Sequence, residues 1–262
     1  MSFWENDDKT MAALVLPNFD FDLQTRAIHD LLQSHRMKER ALNGEIEGIR
    51  QSSQRASGLA SMQLENDYVD TCEYSVYLSA AHSMAAVGML APLAESLFLH
   101  AFLGIRDKLH NCERLCTANH QHTRWKMKEE NFWDCAYAGA KKGTLDGIKG
   151  LSEATGLAKF LPTDLWSRLA ALFEYRNKMF HQGFEWLPSE LEAFRELIPK
   201  NGWPSDWFGT VTSGDSPRAF YLTDAFVDEC LTTIERVHDG IGTFVRKNIA
   251  STDKFGQPGR PE

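Results

Sequence analysis

A chain of 262 residues can form one large domain or one domain with appendages, and its 43% hydrophobic content supplies a real core. The formal net charge of -8 excludes a surface that attracts nucleic acid as a whole, so any such contact must rest on local positive potential. Five cysteines form an odd set, and Glu5, Asp7 and Asp8 stand where a secretion signal needs basic residues, so free thiols in a reducing cytoplasm are expected.

From Asp22 to about Gln63 the chain reads as one or two polar amphipathic helices, with Leu23, Ile28, Leu31, Leu32, Leu42, Ile46 and Ile49 as their apolar positions. The Ser/Gly-rich stretch from Gln51 to Gly58 is the expected break. Residues 1–66 are therefore read as an N-terminal helical segment and 67–250 as the main helical domain. Within that domain, Asp67 to Ile105 predicts a long helix or a kinked pair, with Pro92 as the disturbance. The apolar run from Met84 to Ile105 is long enough to suggest a membrane span, but Pro92, Glu95 and His100 inside it favour a helix buried in a core or dimer interface. No membrane partner is expected.

Helices near 106–118 and 125–142 follow. Cys112, Cys116 and His120 recur every four residues and would line one helical face, so a zinc site is sterically feasible. Paired C-x2-C knuckles are missing, and buried thiols beside Leu109 and Leu115 explain the spacing more simply, so no metal and no cofactor is expected. The segment 105–149 holds nine Lys or Arg against six Asp or Glu, a local positive excess in an acidic chain. In it Arg124, Trp125, Lys126 and Lys128 interleave cations with an aromatic ring, a composition suited to binding an RNA backbone and stacking bases; a solvated face with one anchoring Trp is the alternative. Glycines at 139, 143, 147, 150 and 156 are expected to break the helical pattern, and they are not spaced as a phosphate loop.

The most informative stretch is Tyr175-Arg176-Asn177-Lys178-Met179-Phe180-His181-Gln182-Gly183. Leu165, Leu169, Leu172, Met179 and Phe180 give apolar positions at helical spacing, Thr163 or Asp164 can cap the start, and Gly183 can stop the helix. Arg176 offers a planar fork of donors for phosphate oxygens. His181 carries the side chain whose unperturbed pKa lies nearest neutrality, and the negative end of the helix dipole favours its protonated form as a general acid or charge stabiliser. Asn177 shares the face of His181, and Lys178 can add positive potential. Glu95 is a candidate to orient the Arg176 guanidinium, with a solvent-facing carboxylate as the alternative.

After the motif, Phe184 to Tyr221 carries Pro188, Pro199, Pro204 and Pro217 with Trp186, Trp203 and Trp207. It reads as loop with one short helix near Ser189 to Leu197, serving either as a lid over the motif or as a segment stapled down by its tryptophans. A final amphipathic helix is predicted from about Thr223 to Asn248, with Phe226, Cys230, Ile234, Val237, Ile241 and Phe244 on one side, and 251–262 as a disordered tail.

The Arg176-Asn177-x3-His181 spacing, on a helix that ends in glycine, resembles the R-x4–6-H signature of the HEPN superfamily. That resemblance implies an all-α helical bundle, here with an N-terminal helical extension and an aromatic, proline-rich loop after the motif helix. It also implies metal-independent RNA cleavage with Arg176 and His181 as the catalytic pair and Asn177 in support, a homodimer lining one cleft with two motifs, and a toxin or antiviral defence role with a protein regulator or antitoxin as a further partner. The nucleotidyltransferase-paired branch of that family has a tyrosine where this chain has Gly183, which sets the chain apart from it. A non-catalytic helical module that binds RNA, a nucleotide or a protein through the same face is the alternative reading.

Overall fold

The computed structural model describes residues 8–110, 143–213 and 216–250. In chain order these form α1 (Asp8–Ala12), α2 (Phe21–Arg55), α3 (Leu59–His110), α4 (Thr144–Thr155), α5 (Leu165–Gln182), α6 (Pro188–Lys200), β1 (Phe208–Ser213), β2 (Ser216–Leu222) and α7 (Asp224–Val245). The protein is therefore mostly helical, as its periodicity predicts. The break expected near Gly58 separates α2 from α3, whereas Pro92 lies inside α3 without ending it. Residues 106–110 continue α3 instead of opening a new helix, and position 66 falls within it. The group weighed as a zinc site and set aside (Cys112, Cys116, His120), the basic cluster (Arg124, Lys126, Lys128), the helix near 125–142 and the 251–262 tail lie outside the described residues.

Two expectations need correction. Gly147 and Gly150 do not break the chain but sit inside α4, because Ile148 and Leu151 are fully buried on its inner face. That burial offsets a helix penalty of roughly 1 kcal/mol per glycine. The segment after the motif is also not mostly loop. It holds α6 and an antiparallel hairpin in which Phe208 faces Leu222 and Thr210 faces Phe220. Pro217 obscured the second strand; it pairs with Thr212 directly beside a register irregularity in a two-stranded sheet, a position that tolerates the missing N–H.

The chain divides into two compact units. The first draws on the described parts of Met1–Phe21, Pro92–Ala170 and Cys230–Glu262. Its core includes Leu97, Phe98, Phe102, Ile105, Ile148, Leu151, Leu157, Leu165, Ile234, Ile241 and Phe244. The segment around α1 packs its Met11, Ala12, Val15 and Leu16 inward. It can lie this close because a Cβ at Gly104 would overlap the carbonyl of Val15, and one at Gly242 would overlap that of Asp8. Phe21 stacks on His238 at 4.3 Å. At the start of α5, Asp164 pairs with Arg168 one turn on and with Arg236 of α7 at 3.5 Å. Partial burial pushes the Asp164 carboxyl up, but the hydrogen bond and charge of Arg168, helped by Arg236, outweigh it and hold the group below its ordinary value. A depressed carboxylate contributes stability above its unfolded pKa of 3.8 and loses that contribution as pH falls through the folded value. Asp164→Ala is expected to cost about 1 kcal/mol in urea unfolding at neutral pH, and less in strong acid.

The second unit draws on Asp22–Ala91 and Ala171–Glu229. Here α2 and the first part of α3 form a helical hairpin, with Leu32 and Leu42 buried on α2 and Ala80, Ala86, Val87 and Leu90 on α3. Between these helices His35 and His82 stack nearly parallel, with ring centroids 4.3 Å apart and planes at 6°. Burial, then His82 and Lys38, lower the His35 pKa from its ordinary 6.5, with Glu39 opposing them. The unfolded chain therefore takes up this proton first. The contribution of His35 to stability is complete above pH 6.5 and is lost as pH falls below it. We expect the thermal midpoint to drop between about pH 7 and about pH 5, and His35→Phe, which keeps a ring against His82, to reduce that drop.

On α3, an 18-residue window is apolar enough to cross a membrane by composition, and 56% of it is buried inside the protein.

Candidate functional site

The C-terminal half of α5 belongs to the second unit and is set on an aromatic core. Leu172, Tyr175 and Met179 are buried along one side, the spacing of a helix stripe. Tyr175 is fully buried and donates a hydrogen bond of 2.9 Å from its hydroxyl to the Phe220 carbonyl in β2. Burial pushes the Tyr175 phenol well above its usual range, with Ser83 pulling weakly the other way, so the group stays a neutral donor. Its ring lies 6.1 Å from both Trp186 and Phe194 and 6.0 Å from Phe208. Trp186, Trp203 and Trp207 are all buried. Of the two roles read for the post-motif segment, stapling to the core is what these three tryptophans do: Trp203 lies against Phe208, Trp207 stacks on Phe226, and Trp186 lies against Tyr175 of the motif helix.

The helix ends as its sequence predicts. Gly183 takes φ 71° and donates its N–H to the Met179 carbonyl at 2.9 Å, closing the last turn with a conformation that favours glycine. Trp186 locks the turn by donating its indole N–H to the Gly183 carbonyl at 3.1 Å.

On this support the motif residues take distinct positions. Arg176 is half-buried, with its guanidinium carbon 5.3 Å from the centre of the Phe173 ring and two long contacts of 3.4 Å to the Asn177 side-chain oxygen. Asn177 and His181 are exposed on the same side of the last turns. Lys178 does not join them; it is tied to Glu190 in the first turn of α6 at 2.5 Å. Phe180, expected among the apolar positions of the helix, is 59% exposed, and Phe184 and Leu187, which follow the helix, are 36% and 62% exposed. Glu95 is half-buried on the part of α3 that belongs to the first unit. Among the described residues no group of His, Cys, Asp and Glu is arranged to hold a metal ion. The anchoring roles of Phe173, Tyr175 and Glu190 were not legible in the sequence. Tyr175 carried the one available signal, an aromatic at core spacing directly before the arginine.

No family model, curated protein or solved structure matches this chain. A functional reading therefore rests on the chemistry of α5 itself. That helix end presents a fixed guanidinium, an amide and an imidazole at a carbonyl-rich, electronegative terminus. The set can bind a phosphodiester oxygen and exchange a proton with an adjacent oxygen.

Proposed function

We propose that this protein is a metal-independent endoribonuclease of HEPN type. The observation that carries the reading is the arrangement of α5, where Arg176 is held by Phe173 and Asn177 while His181 stands exposed one turn on, before the Gly183 stop. In the proposed reaction the 2′-hydroxyl of RNA releases its proton to solvent water as its oxygen attacks the adjacent phosphorus, and the bond to the 5′-oxygen breaks. Arg176 neutralises charge gathering on the phosphoryl oxygens, and His181 delivers a proton to the departing 5′-oxygen. The products are a 2′,3′-cyclic phosphate and a 5′-hydroxyl end. DNA is spared because it lacks the attacking hydroxyl. One motif per chain makes a shallow site, and two copies facing each other would enclose the phosphate from both sides.

The test is incubation of total RNA with the purified protein in EDTA, with end-group analysis of the fragments. Cleavage leaving cyclic phosphates supports the assignment; inert protein removes it. A second reading has its own observation. The exposed Phe180, Phe184 and Leu187, which flank His181 in the chain, suit a non-catalytic module that docks a partner there, and that reading leads if RNA is bound but not cut.

A further inference from the structure

The helical hairpin of α2 and α3 has a feature that packing alone does not call for. Where two antiparallel helices meet, the facing positions are ordinarily apolar and closely packed. Here they enclose a cavity of about 340 Å³, closed on its third side by the end of β2 and the start of α7. That size lies within the range of small-molecule sites, roughly 300–1,000 Å³. Its walls combine apolar surface from Leu32, Leu78 and Val227 with a dense polar set: His35, Arg36, Glu39, Ser79, His82 and Asp224. Polar residues at the seam of a hairpin lower its stability, and such departures from consistent packing cluster at functional sites.

The charges indicate what the cavity suits. Arg36 is the one permanent cation lining it among the described residues, and it is already taken by two carboxylates, Asp224 at 2.9 Å and Asp228 at 2.8 Å. Glu39 reaches His82 Nδ1 at 2.8 Å, and the side chain of Glu39 stays 29% exposed. The His35 ring lies against His82, and its buried Nδ1 has no hydrogen-bond partner among the described residues. Glu39 and Asp224 in the lining, with Asp228 beside Arg36, thus outnumber the one guanidinium, and the cavity adds hydroxyl acceptors and an aliphatic lining.

We propose that this cavity binds a small organic cation, a protonated amine carried on an aliphatic chain. Glu39 and Asp224 receive the ammonium groups, Ser79 accepts hydrogen bonds, and Leu32, Leu78 and Val227 cover the chain. This site is separate from the Arg176–His181 motif and does not depend on the ribonuclease reading.

The experiment is isothermal titration calorimetry of the full chain with spermidine near neutral pH, with octanediol as an uncharged chain and inorganic phosphate as an anion. Saturable binding of one spermidine per chain is expected, with neither control bound. Glu39→Gln should weaken binding by about tenfold or more, the loss expected of a charge-assisted contact, while Glu45→Gln, at an exposed position of the same helix, should leave it unchanged. Ser79→Leu, which fills the cavity without touching a charge, should abolish binding and decides the matter if Glu39→Gln does not fold by circular dichroism. Absence of saturable binding, equal binding of octanediol, preference for phosphate, or equal weakening by Glu45→Gln would each overturn the proposal.

Discussion

Arg176→Ala is expected to lower RNA cleavage in EDTA by about 10²–10³-fold, the loss typical of removing one group aimed at charge that develops in the transition state. The basis is positional. The guanidinium is set against Phe173 and Asn177, so a smaller side chain removes the charge without opening the core: Phe173 stays packed and Tyr175 still anchors the helix. His181→Ala is expected to cost about 10²–10⁴-fold, the usual contribution of a positioned proton donor. Because His181 is exposed, that variant should unfold in urea as the wild type does. Lys178→Ala provides the contrast. Its ammonium is occupied by Glu190, so cleavage should change by less than about tenfold while α6 loses an ion pair worth about 1 kcal/mol or less. If Arg176→Ala and His181→Ala cut RNA as fast as wild type, the assignment of α5 as the reacting helix fails.

Tyr175→Ala is expected to destabilise the protein by about 3–5 kcal/mol, the range for truncating a large buried aromatic. Three effects add here. The ring leaves a void among Trp186, Phe194 and Phe208, the Phe220 carbonyl loses its phenolic donor, and the residue behind Arg176 no longer fixes the helix rotation. Tyr175→Phe keeps the ring and removes only the hydroxyl, so it should cost about 1 kcal/mol and leave cleavage near the wild-type rate. Urea unfolding monitored by circular dichroism measures both, and RNA cleavage on the folded fraction separates support from chemistry. Loss of cleavage in a fully folded Tyr175→Phe protein would instead place the phenol in the reaction. That result would conflict with its burial and its bond to β2.

The sequence by itself determined the helices whose signals are local. The period of α7, the Ala56–Gly58 break before α3 and the Gly183 stop of α5 are set by side-chain spacing and by a backbone conformation that glycine adopts readily. The chemical identity of the motif is equally local, since Arg176, Asn177 and His181 carry their donors and proton wherever the chain puts them.

Tertiary structure decided the rest. Gly147 and Gly150 became helical because Ile148 and Leu151 had a core to enter, and the hairpin formed around Pro217 because Phe208, Phe220 and Leu222 found the aromatic cluster. Long-range pairing likewise took Lys178 to Glu190, exposed Phe180 and closed the α2–α3 cavity with residues of β2 and α7. Each of these depends on partners distant in the chain, and neither hydrophobic period nor turn chemistry records which distant surface a residue will meet.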